Sequence, residues 1–454
     1  MIDIKLIREN PELVKENIKR KLQTDRIELV DKIKDLDEDW RKTKTQADEL
    51  RASRNKISEQ INQAKKQGKD ASSIIKQAKE IPQKIADLDE KEKQLAQEIH
   101  KMMLRIPNIV SKETPIGKDA SENIEIIKHG KIPKFKFKPK THVELAETLK
   151  IADFDASSKV SGNGFYYLKN ELAILNQALI RFAIDFMRKK SYEYIEPPLM
   201  LNEKSIFASM DKTAIEQSVY SIRDEDLHLI GTSEQAVLAM HSGQTLSESE
   251  LPKKYFSYSM CFRKEVGAHG INEKGLWRTH QFNKVEQFIF CKPEDSPKLY
   301  EELLQNSIGI LDALELPFHV IELCTGDLAD WKYRSADLEV WRPTTNSYGE
   351  VMSLSNCTDY QARKLDIKCL DKQGNRRVLH TLNDTALATS RILVTLLENN
   401  QQEDGSIAIP KVLWPYTGFK EIKLKKKQEK KEEKKQIKEK SVKKKAIKKS
   451  KKKK

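Results

Sequence analysis

The chain has 454 residues and a formal net charge of +14, with 38% hydrophobic and 33% charged residues, so two or three domains and at least one large core are possible. It contains no apolar run of the roughly 18 residues that a membrane-spanning helix needs, and its charged N-terminus is unlike a secretory signal. The five cysteines lie far apart with no CxxC pair, which argues against a disulfide framework and a zinc knuckle and favours a cytoplasmic protein.

Residues 27–102 carry apolar side chains at alternating steps of four and three, which is the repeat of a coiled coil. One seam starts at Leu29 and the other at Ile74, on either side of a short turn at 68–70. Two such helices with so short a turn predict an antiparallel hairpin, although a plain spacer or an oligomerisation device shows the same pattern. Pro82 should kink or fray the second helix. The predicted contacts pair Trp40 with Ile99, Leu50 with Leu88, and Ile57 with Ile81.

Residues 103–160 contain four prolines and two glycines, which predict a linker or irregular segment. A helix is predicted over 171–190, and Tyr192 to Pro198 should form a strand that the prolines end. Further strands are expected around 227–230, 255–265, 281–291, 318–323, 337–341 and 350–355, with helices between them. This order predicts an α+β fold whose sheet is mixed and mostly antiparallel. The sequence has no GxGxxG or Walker loop, which disfavours a Rossmann or P-loop nucleotide site.

The predicted strands around 255–265 and 281–291 should pair as a two-stranded ribbon. Charged and aromatic side chains that could bind a ligand would lie on one of its surfaces. The alternation of strand residues places Arg263 and Glu265 on one face of the first arm, and Phe282 and Glu286 on one face of the second. Such a ribbon could hold an anionic nucleotide and an ammonium group side by side. As an alternative, Arg263 and Glu265 could form a simple ion pair within the sheet, and Phe282 could be an ordinary core aromatic.

The spacing of these residues resembles a known family. The pattern runs from Arg263 and Glu265 through a loop to the segment 275–286, GLWRTHQFNKVE, and closely resembles motif 2 of the class II aminoacyl-tRNA synthetases in its seryl-tRNA synthetase form. Gly231 to Glu234 resembles the serine loop of that family, and 381–391 resembles its motif 3. Tyr192 to Pro198 resembles motif 1, which builds the class II dimer interface. The resemblance covers roughly residues 1–420.

The resemblance implies a homodimeric ligase that activates L-serine with ATP and Mg²⁺ and transfers it to tRNA(Ser), with tRNA(Sec) as a further candidate substrate. The coiled-coil arm would reach across the dimer to the long variable arm of the tRNA. Its basic residues would touch phosphates rather than bases. These are Arg41, Lys44, Arg51, Arg54, Lys56, Lys65, Lys66, Lys69 and Lys76. A catalytically inert paralogue that binds RNA or serves a structural role is the alternative.

The resemblance also implies the residues of the site. The catalytic residues would be Arg263, Glu286 and Arg391. L-serine would contact Thr232, Ser233, Glu234, Arg263, Glu286, Asn383 and Thr385. ATP would contact Arg263, Lys264, Glu265, Arg278, Thr279, His280, Gln281, Phe282, Glu350, Val351, Met352, Ser353 and Arg391. Mg²⁺ would be held by Glu350 and Ser353, which lie three positions apart, so a bulge or a water bridge must bring them to one face.

Three points qualify this interpretation. Thr385 could instead cap the helix that follows motif 3. The loop at 270–275 lacks two arginines that the family usually has where the acceptor stem docks. The segment 326–334 is bulkier than usual, which affects one wall of the pocket.

The chain ends in a lysine-rich tail. Residues 421–454 contain 19 lysines and 5 glutamates, so this tail accounts for the entire net charge. Its low apolar content predicts disorder, and its charge predicts either added RNA affinity or a solubilising or localising role. The expected domains are an arm (1–110), a linker (111–160), a catalytic domain (161–420) and the tail (421–454).

Overall fold

The computed structural model describes residues 1–68, 70, 72–210, 212–266 and 274–424, apart from the side chains of residues 74, 77, 212 and 213. The expectations for Lys69, for the loop residues 270–273 and for the tail from residue 425 onward therefore lie outside the described residues. Within the described ranges, no helix is both long enough and apolar enough to cross a membrane.

The elements follow one another along the chain as follows. The helices are α1 (Ile4–Glu9), α2 (Pro11–Arg20), α3 (Ile27–Lys66), α4 (Ser72–Met103), α5 (His142–Leu149), α6 (Phe154–Ser161), α7 (Asn170–Arg188), α8 (Glu203–Ser209), α9 (Lys212–Ser218), α10 (Ser233–Ala239), α11 (Ser296–Ala313), α12 (Tyr360–Lys364), α13 (Thr389–Asn399) and α14 (Trp414–Thr417). The strands are β1 (Ile124–His129), β2 (Ala152–Asp153), β3 (Tyr167–Leu168), β4 (Glu193–Ile195), β5 (Met200–Leu201), β6 (His228–Leu229), β7 (Thr245–Ser247), β8 (Lys253–Phe262), β9 (Gln281–Cys291), β10 (Phe318–Glu322), β11 (Arg334–Arg342), β12 (Ser347–Thr358), β13 (Lys368–Leu370), β14 (Arg376–Val378), β15 (His380–Ala388), β16 (Ile407–Ala408) and β17 (Glu421–Ile422).

Helices α3 and α4 form the predicted antiparallel hairpin. Arg51 on α3 pairs with Asp89 on α4 at 2.5 Å, which agrees with the predicted contact of their neighbours Leu50 and Leu88. Pro82 does not end α4, which is helical on both sides of it, so the predicted fraying is wrong. The buried Ile81 and Ile85 flank this proline, and their packing offsets the lost backbone hydrogen bond.

The base of this arm is fixed to the rest of the chain. Ile33 and Ile99 belong to a buried apolar cluster that also contains Tyr360. Arg26 forms an ion pair with Asp330 at 2.5 Å, and the buried Lys21 ammonium donates to the Leu328 carbonyl at 2.6 Å. The arm base therefore docks on the segment 326–334, which the sequence marked as unusually bulky.

An eight-stranded sheet forms the centre of the body, in the order β1-β10-β11-β12-β15-β9-β8-β4. Its pairs are antiparallel except for β4 with β8, which is parallel. Helices α7, α11 and α13 pack on one face and bury the largest apolar cluster. The mixed, mostly antiparallel sheet is thus confirmed, and α+β is the correct fold class.

Two regions contain more regular structure than predicted. Within the expected linker, β1 pairs with β10 at the edge of the main sheet, and α5 and α6 follow it. The sequence signal was weak because β1 is mostly exposed on both faces, with Ile124 51% and Ile126 45% exposed. The boundary expected for the tail, residue 421, is also too early in the chain, because Glu421–Ile422 forms β17 and pairs with β16.

Candidate active site

A cavity of about 470 Å³ opens on the face of the sheet that the large apolar cluster leaves free. Strands β9, β12 and β15 form its floor, and the N-terminus of α10 and the first turn of α13 border it. Fifteen of the predicted site residues line it. They are Thr232, Glu234, Arg263, Glu265, Arg278, Thr279, Phe282, Glu286, Glu350, Val351, Met352, Ser353, Asn383, Thr385 and Arg391.

The alternation of β9 explains why three functional side chains reach the cavity together. Phe282, Lys284 and Glu286 lie at alternate positions of the strand, and all three line the cavity. Val285 and Ile289 point the other way into the main core. The predicted division of the two faces is therefore confirmed.

Arg263 follows the last residue of β8 and is held from two sides. Its backbone N–H donates to the His280 carbonyl at 2.9 Å, and its Nε donates to the Gly231 carbonyl at 3.1 Å. Its guanidinium lies 5.2 Å from the ring centre of Phe282. Glu265 pairs instead with Arg278 at 2.8 Å, so the simple ion pair between Arg263 and Glu265 is not formed.

At one end of the cavity, Glu234 accepts two hydrogen bonds through Oε1. Gln361 Nε2 donates at 2.7 Å and Asn383 Nδ2 donates at 3.0 Å. Burial first, and then repulsion from Glu286, raise the pKa of Glu234 to about 6. Among the described residues no group donates to Oε2, which remains available to a cationic ligand near neutral pH.

Glu286 is paired with a cation that sequence analysis missed. Lys284 Nζ forms an ion pair with Glu286 Oε2, with side chains 7% and 3% exposed. Thr385 Oγ1 donates weakly to the same oxygen at 3.4 Å. A lysine two positions before a glutamate on one strand shares its face, and this signal was present in the sequence.

Thr385 does not cap the helix after motif 3. It lies within β15, opposite Glu286 in the register with β9. Helix α13 begins four residues later, at Thr389, and its N-cap residue Ala388 has no side-chain hydrogen bond. The capping alternative is therefore wrong.

A β-bulge in β12 resolves the spacing of Glu350 and Ser353. Ser353 pairs with Asp337 of β11 and Glu350 pairs with Glu339, so Val351 is the extra residue. Because Asp337 and Glu339 are two apart on β11, their partners Glu350 and Ser353 face the same side. Both line the cavity.

Asp337, which is opposite Ser353 in the sheet register, and Arg391 lie beside this pair. Asp337 Oδ1 is buried without a hydrogen-bond partner among the described residues, and burial and then Glu350 raise the pKa of Asp337 to about 7. Arg391 Nη1 lies 3.1 Å from Glu350 Oε2 and donates to the Glu350 carbonyl at 2.8 Å. Burial alone would raise the pKa of Glu350, but Arg391 outweighs it and holds that pKa below its usual value.

Four predicted residues do not line the cavity. Ser233 is fully buried, and its Oγ accepts from Ser257 at 2.6 Å. His280 Nδ1 lies 3.1 Å from the Tyr220 hydroxyl. Lys264 uses its backbone N–H to bond the Ser218 carbonyl at 2.9 Å, and Gln281 is the first residue of β9. These residues support the site rather than form its surface.

Two further walls of the cavity come from Trp277, which sequence analysis did not assign, and from the bulky segment, which it expected to affect one wall. Trp277 lies beneath Arg391, with 5.5 Å between the guanidinium and the ring centre. Trp331 and Lys332 come from the bulky segment, and Lys332 Nζ lies 3.4 Å from Ser353 Oγ. The segment 326–334 therefore contacts both the arm base and the cavity.

Comparison with known proteins agrees with this geometry. The model of the seryl-tRNA synthetase N-terminal domain matches residues 1–110, and the model of the class II tRNA synthetase core domain (G, H, P, S and T) matches residues 218–400. The serine–tRNA ligase of Methanocella arvoryzae is 43% identical to the chain, over 92% of this chain and 98% of that protein. The chain belongs to the seryl-tRNA synthetase family. It is a class II serine–tRNA ligase.

Solved structures of seryl-tRNA synthetases have the same architecture. The crystal structure of the Pyrococcus horikoshii enzyme complexed with ATP superposes with a TM-score of 0.89 at 41% identity, and covers 94% of this chain and 100% of that one. The cytoplasmic serine–tRNA ligase of Naegleria fowleri, in complex with AMP, gives 0.84 at 32% identity, with 94% and 99% covered. The likeness includes the arm as well as the body.

Proposed function

We propose that the cavity binds ATP and L-serine and joins them into seryl-adenylate, which then passes its seryl group to tRNA(Ser). The observation that carries this proposal is the convergence of Arg263, Phe282 and Glu286 on one cavity. The reaction needs no protein nucleophile, because the serine carboxylate attacks the α-phosphate and pyrophosphate leaves. The protein contributes positioning and stabilisation of charge.

The carboxylates would recognise the amino acid. Glu234 and Glu286 face the same cavity and would receive the ammonium group of serine. Thr385 and Glu286 would donate to and accept from its hydroxyl, with Thr232 and Asn383 beside them. A pocket that pairs a buried hydroxyl rejects alanine, because its own polar groups would be left unpaired.

The basic and aromatic side chains would hold ATP. Phe282 offers its ring to adenine, and the Arg263 guanidinium would bridge the α-phosphate and the serine carboxylate with its two-pronged geometry. Arg391 and Arg278 would contact the remaining phosphates. The ATP complex of the P. horikoshii enzyme supports a nucleotide at this site.

The donor set at the bulge fits Mg²⁺. Glu350 and Ser353 present hard oxygens on one face, and the buried Asp337 Oδ1 opposite Ser353 has no hydrogen-bond partner among the described residues. Oxygen donors of this kind suit Mg²⁺, which commonly takes one or two protein carboxylates together with substrate phosphates. Glu350 and Ser353 would hold the ion, which would supply positive charge to the phosphate oxygens.

The arm would grip the tRNA through its phosphates. Arg41, Lys44 and Arg51 are engaged in ion pairs within the arm. The other predicted contacts that are described, namely Arg54, Lys56, Lys65, Lys66 and Lys76, are exposed. Because phosphate contacts do not read bases, tRNA(Sec) would also be charged if it presents a similar variable arm.

The remaining assignments complete the proposal. The enzyme would act in the cytoplasm as a homodimer through the motif 1 region around β4. The arm (1–110), the segment 111–160, the catalytic domain from residue 161 through β17, and the lysine-rich tail after β17 would be its functional divisions. The tail would add non-specific RNA affinity.

Exchange of radioactive pyrophosphate into ATP, measured without tRNA, tests the activation step. We expect exchange that depends on serine and is not supported by alanine. Threonine serves as the second control, because it must be excluded by volume alone. Absence of exchange at saturating serine and ATP would favour the inert paralogue.

A further inference from the structure

A lysine-rich segment outside the cavity has no role in the function described above. Five of the ten residues from 131 to 140 are lysines, and the segment 130–143 contains no acidic residue. We call this segment the lysine strip. Its lysines are all exposed, and they are Lys131, Lys134, Lys136, Lys138 and Lys140. None of them forms an ion pair with another residue that the structure describes.

The backbone of the strip is fixed at both ends. At the first end, Gly130 packs so closely on Pro317 that an added Cβ would lie 2.8 Å from the Pro317 Cα. At the second end, the Lys140 N–H donates to Gln401 Oε1 at 2.8 Å, and Gln401 Nε2 donates to the Lys140 carbonyl at 2.9 Å. The lysines therefore lie on a segment whose backbone is held in place at both ends.

The strip ends beside the mouth of the active site. His142, two residues after Lys140, accepts a hydrogen bond from the Leu276 N–H through Nε2 at 3.1 Å. Trp277, the next residue, lines the cavity. The second end of the strip therefore lies next to the segment that forms one wall of the cavity.

The aromatic residues of the strip point to backbone recognition rather than base stacking. Phe135 and Phe137 alternate with the lysines, are partly buried, and contact each other edge to face with ring centres 5.1 Å apart. A single-strand binder exposes such rings to bases. Here the exposed groups are ammonium ions on alternate residues, Lys134, Lys136 and Lys138, of a segment without regular secondary structure. A row of that kind suits successive phosphates along one nucleic-acid strand.

We propose that the lysine strip binds the phosphate backbone of the tRNA acceptor stem while the acceptor end enters the cavity. This inference rests on the proposed function. The strip would also compensate for missing positive charge, because the motif 2 loop at 270–275 has no arginine. The strip supplies cations, and its second end contacts Leu276, the residue that follows this loop in the chain.

The test compares two triple variants with equal loss of charge. The first combines Lys134→Ala, Lys136→Ala and Lys138→Ala. The matched control removes three exposed lysines on other elements, with Lys204→Ala, Lys298→Ala and Lys372→Ala. Binding of tRNA(Ser), and of a minihelix that carries only its acceptor stem, is measured between 50 and 200 mM salt, alongside serine-dependent pyrophosphate exchange.

We expect the strip variant to lose roughly one unit of salt slope per lysine, about three in all, with both RNAs. Its Kd for tRNA at 50 mM salt rises at least tenfold and its exchange activity stays within twofold, whereas the control variant changes none of these quantities. Replacement of the same three lysines by arginine restores the slope.

Three results would overturn the proposal. One is an unchanged slope in the strip variant, and another is an equal change in the control, which would reveal an effect of net charge alone. The third is a loss with full-length tRNA but not with the minihelix, which would move the contact away from the acceptor stem. If the strip variant lost exchange as well, single Lys136→Glu would replace it, and an unchanged tRNA affinity there would equally refute the idea. Absence of exchange in the unaltered enzyme would instead refute the proposed function.

Discussion

Lys284 and Glu286 form an ion pair on the floor of the cavity, although both side chains are more than nine-tenths buried. Replacing Lys284 by methionine would leave the Glu286 carboxylate buried without its cation. Breaking a buried pair in this way typically costs about 3–5 kcal/mol. We therefore expect urea unfolding to show a loss of that size, together with weaker serine binding in the exchange assay.

A double variant serves as the control for this change. Lys284→Met with Glu286→Gln removes both charges, so most of the stability should return while serine activation stays lost. A loss below about 1 kcal/mol in the single variant would mean that Glu286 finds another partner or protonates cheaply.

The exchange reaction should weaken in acid because of Glu234. Burial and Glu286 raise the pKa of Glu234 to about 6, so the carboxylate that faces the serine ammonium becomes neutral below that pH. We expect kcat/KM for serine to fall about tenfold per pH unit below 6. The KM for ATP should change little. Glu234→Gln should give a low rate without this inflection, and a wild-type profile that stays flat down to pH 5 would contradict the assignment.

Arg263 should not be replaceable by lysine. Lysine keeps the positive charge but cannot bridge two anionic groups with a planar fork. Loss of one such transition-state donor costs about 3–4 kcal/mol, so kcat for exchange should fall 10²- to 10³-fold in Arg263→Lys. Arg377→Lys is the matched control, because Arg377 forms an exposed ion pair with Glu294 outside the cavity. A tenfold or smaller loss in Arg263→Lys would show that a point charge suffices.

These cavity residues illustrate what the sequence alone can predict. Phe282 and Glu286 were assigned to one face because strand alternation is a local property with a period of two. Strand alternation also places Lys284 on this face. Its pairing with Glu286, however, depends on how deeply the two side chains are buried, which a local sequence pattern does not reveal. The spacing of Glu350 and Ser353 required either a bulge or a water bridge, and only the register with β11 shows that a bulge is present and that it lies at Val351.

The arm could be predicted from the sequence, whereas the edge strand of the sheet could not. The hairpin of α3 and α4 was predictable because its apolar seam repeats over many helical turns. A few positions that depart from the repeat therefore do not hide the pattern. Strand β1 is short and exposed, and its place is decided by pairing with β10, nearly two hundred positions along the chain. Long-range pairing of this kind leaves little trace in the paired segment itself.

The stability of the body should fall in acid through Glu398. This side chain is fully buried, and its contacts with His142, Arg342 and Thr344 overcome the opposing effect of burial and lower its pKa to about 2. A lowered carboxyl pKa stabilises the folded state above the unfolded value near 4.5, and that contribution disappears as the pH falls toward 2.

The shift corresponds to about 3 kcal/mol of unfolding free energy at neutral pH. Glu398→Gln should therefore be less stable than the unaltered enzyme at pH 7, and the difference should shrink steadily between pH 4.5 and 2. Chemical unfolding at each pH measures it. A difference that is independent of pH across this window would assign the effect to packing instead of charge.

The outer arm should be needed for tRNA but not for serine activation. Removal of the whole arm is too severe a test, because Leu29, Ile33 and Ile99 belong to the cluster that docks the arm base on the body. Lys44 on α3 and Glu92 on α4 face each other at 3.6 Å, which marks a level where the two helices can be joined. A variant that replaces residues 45–91 by a short glycine–serine linker keeps the docked base intact.

In this shortened enzyme we expect serine-dependent exchange within twofold of the full chain, because no cavity residue is altered. Charging of tRNA(Ser) should fall at least a hundredfold in kcat/KM, since the phosphate contacts of the outer arm are gone. The acceptor-stem minihelix never reaches the outer arm, so its binding should be the same in both proteins. Normal charging of full-length tRNA would show that the arm is a spacer, and loss of exchange would show that the arm base had been disturbed.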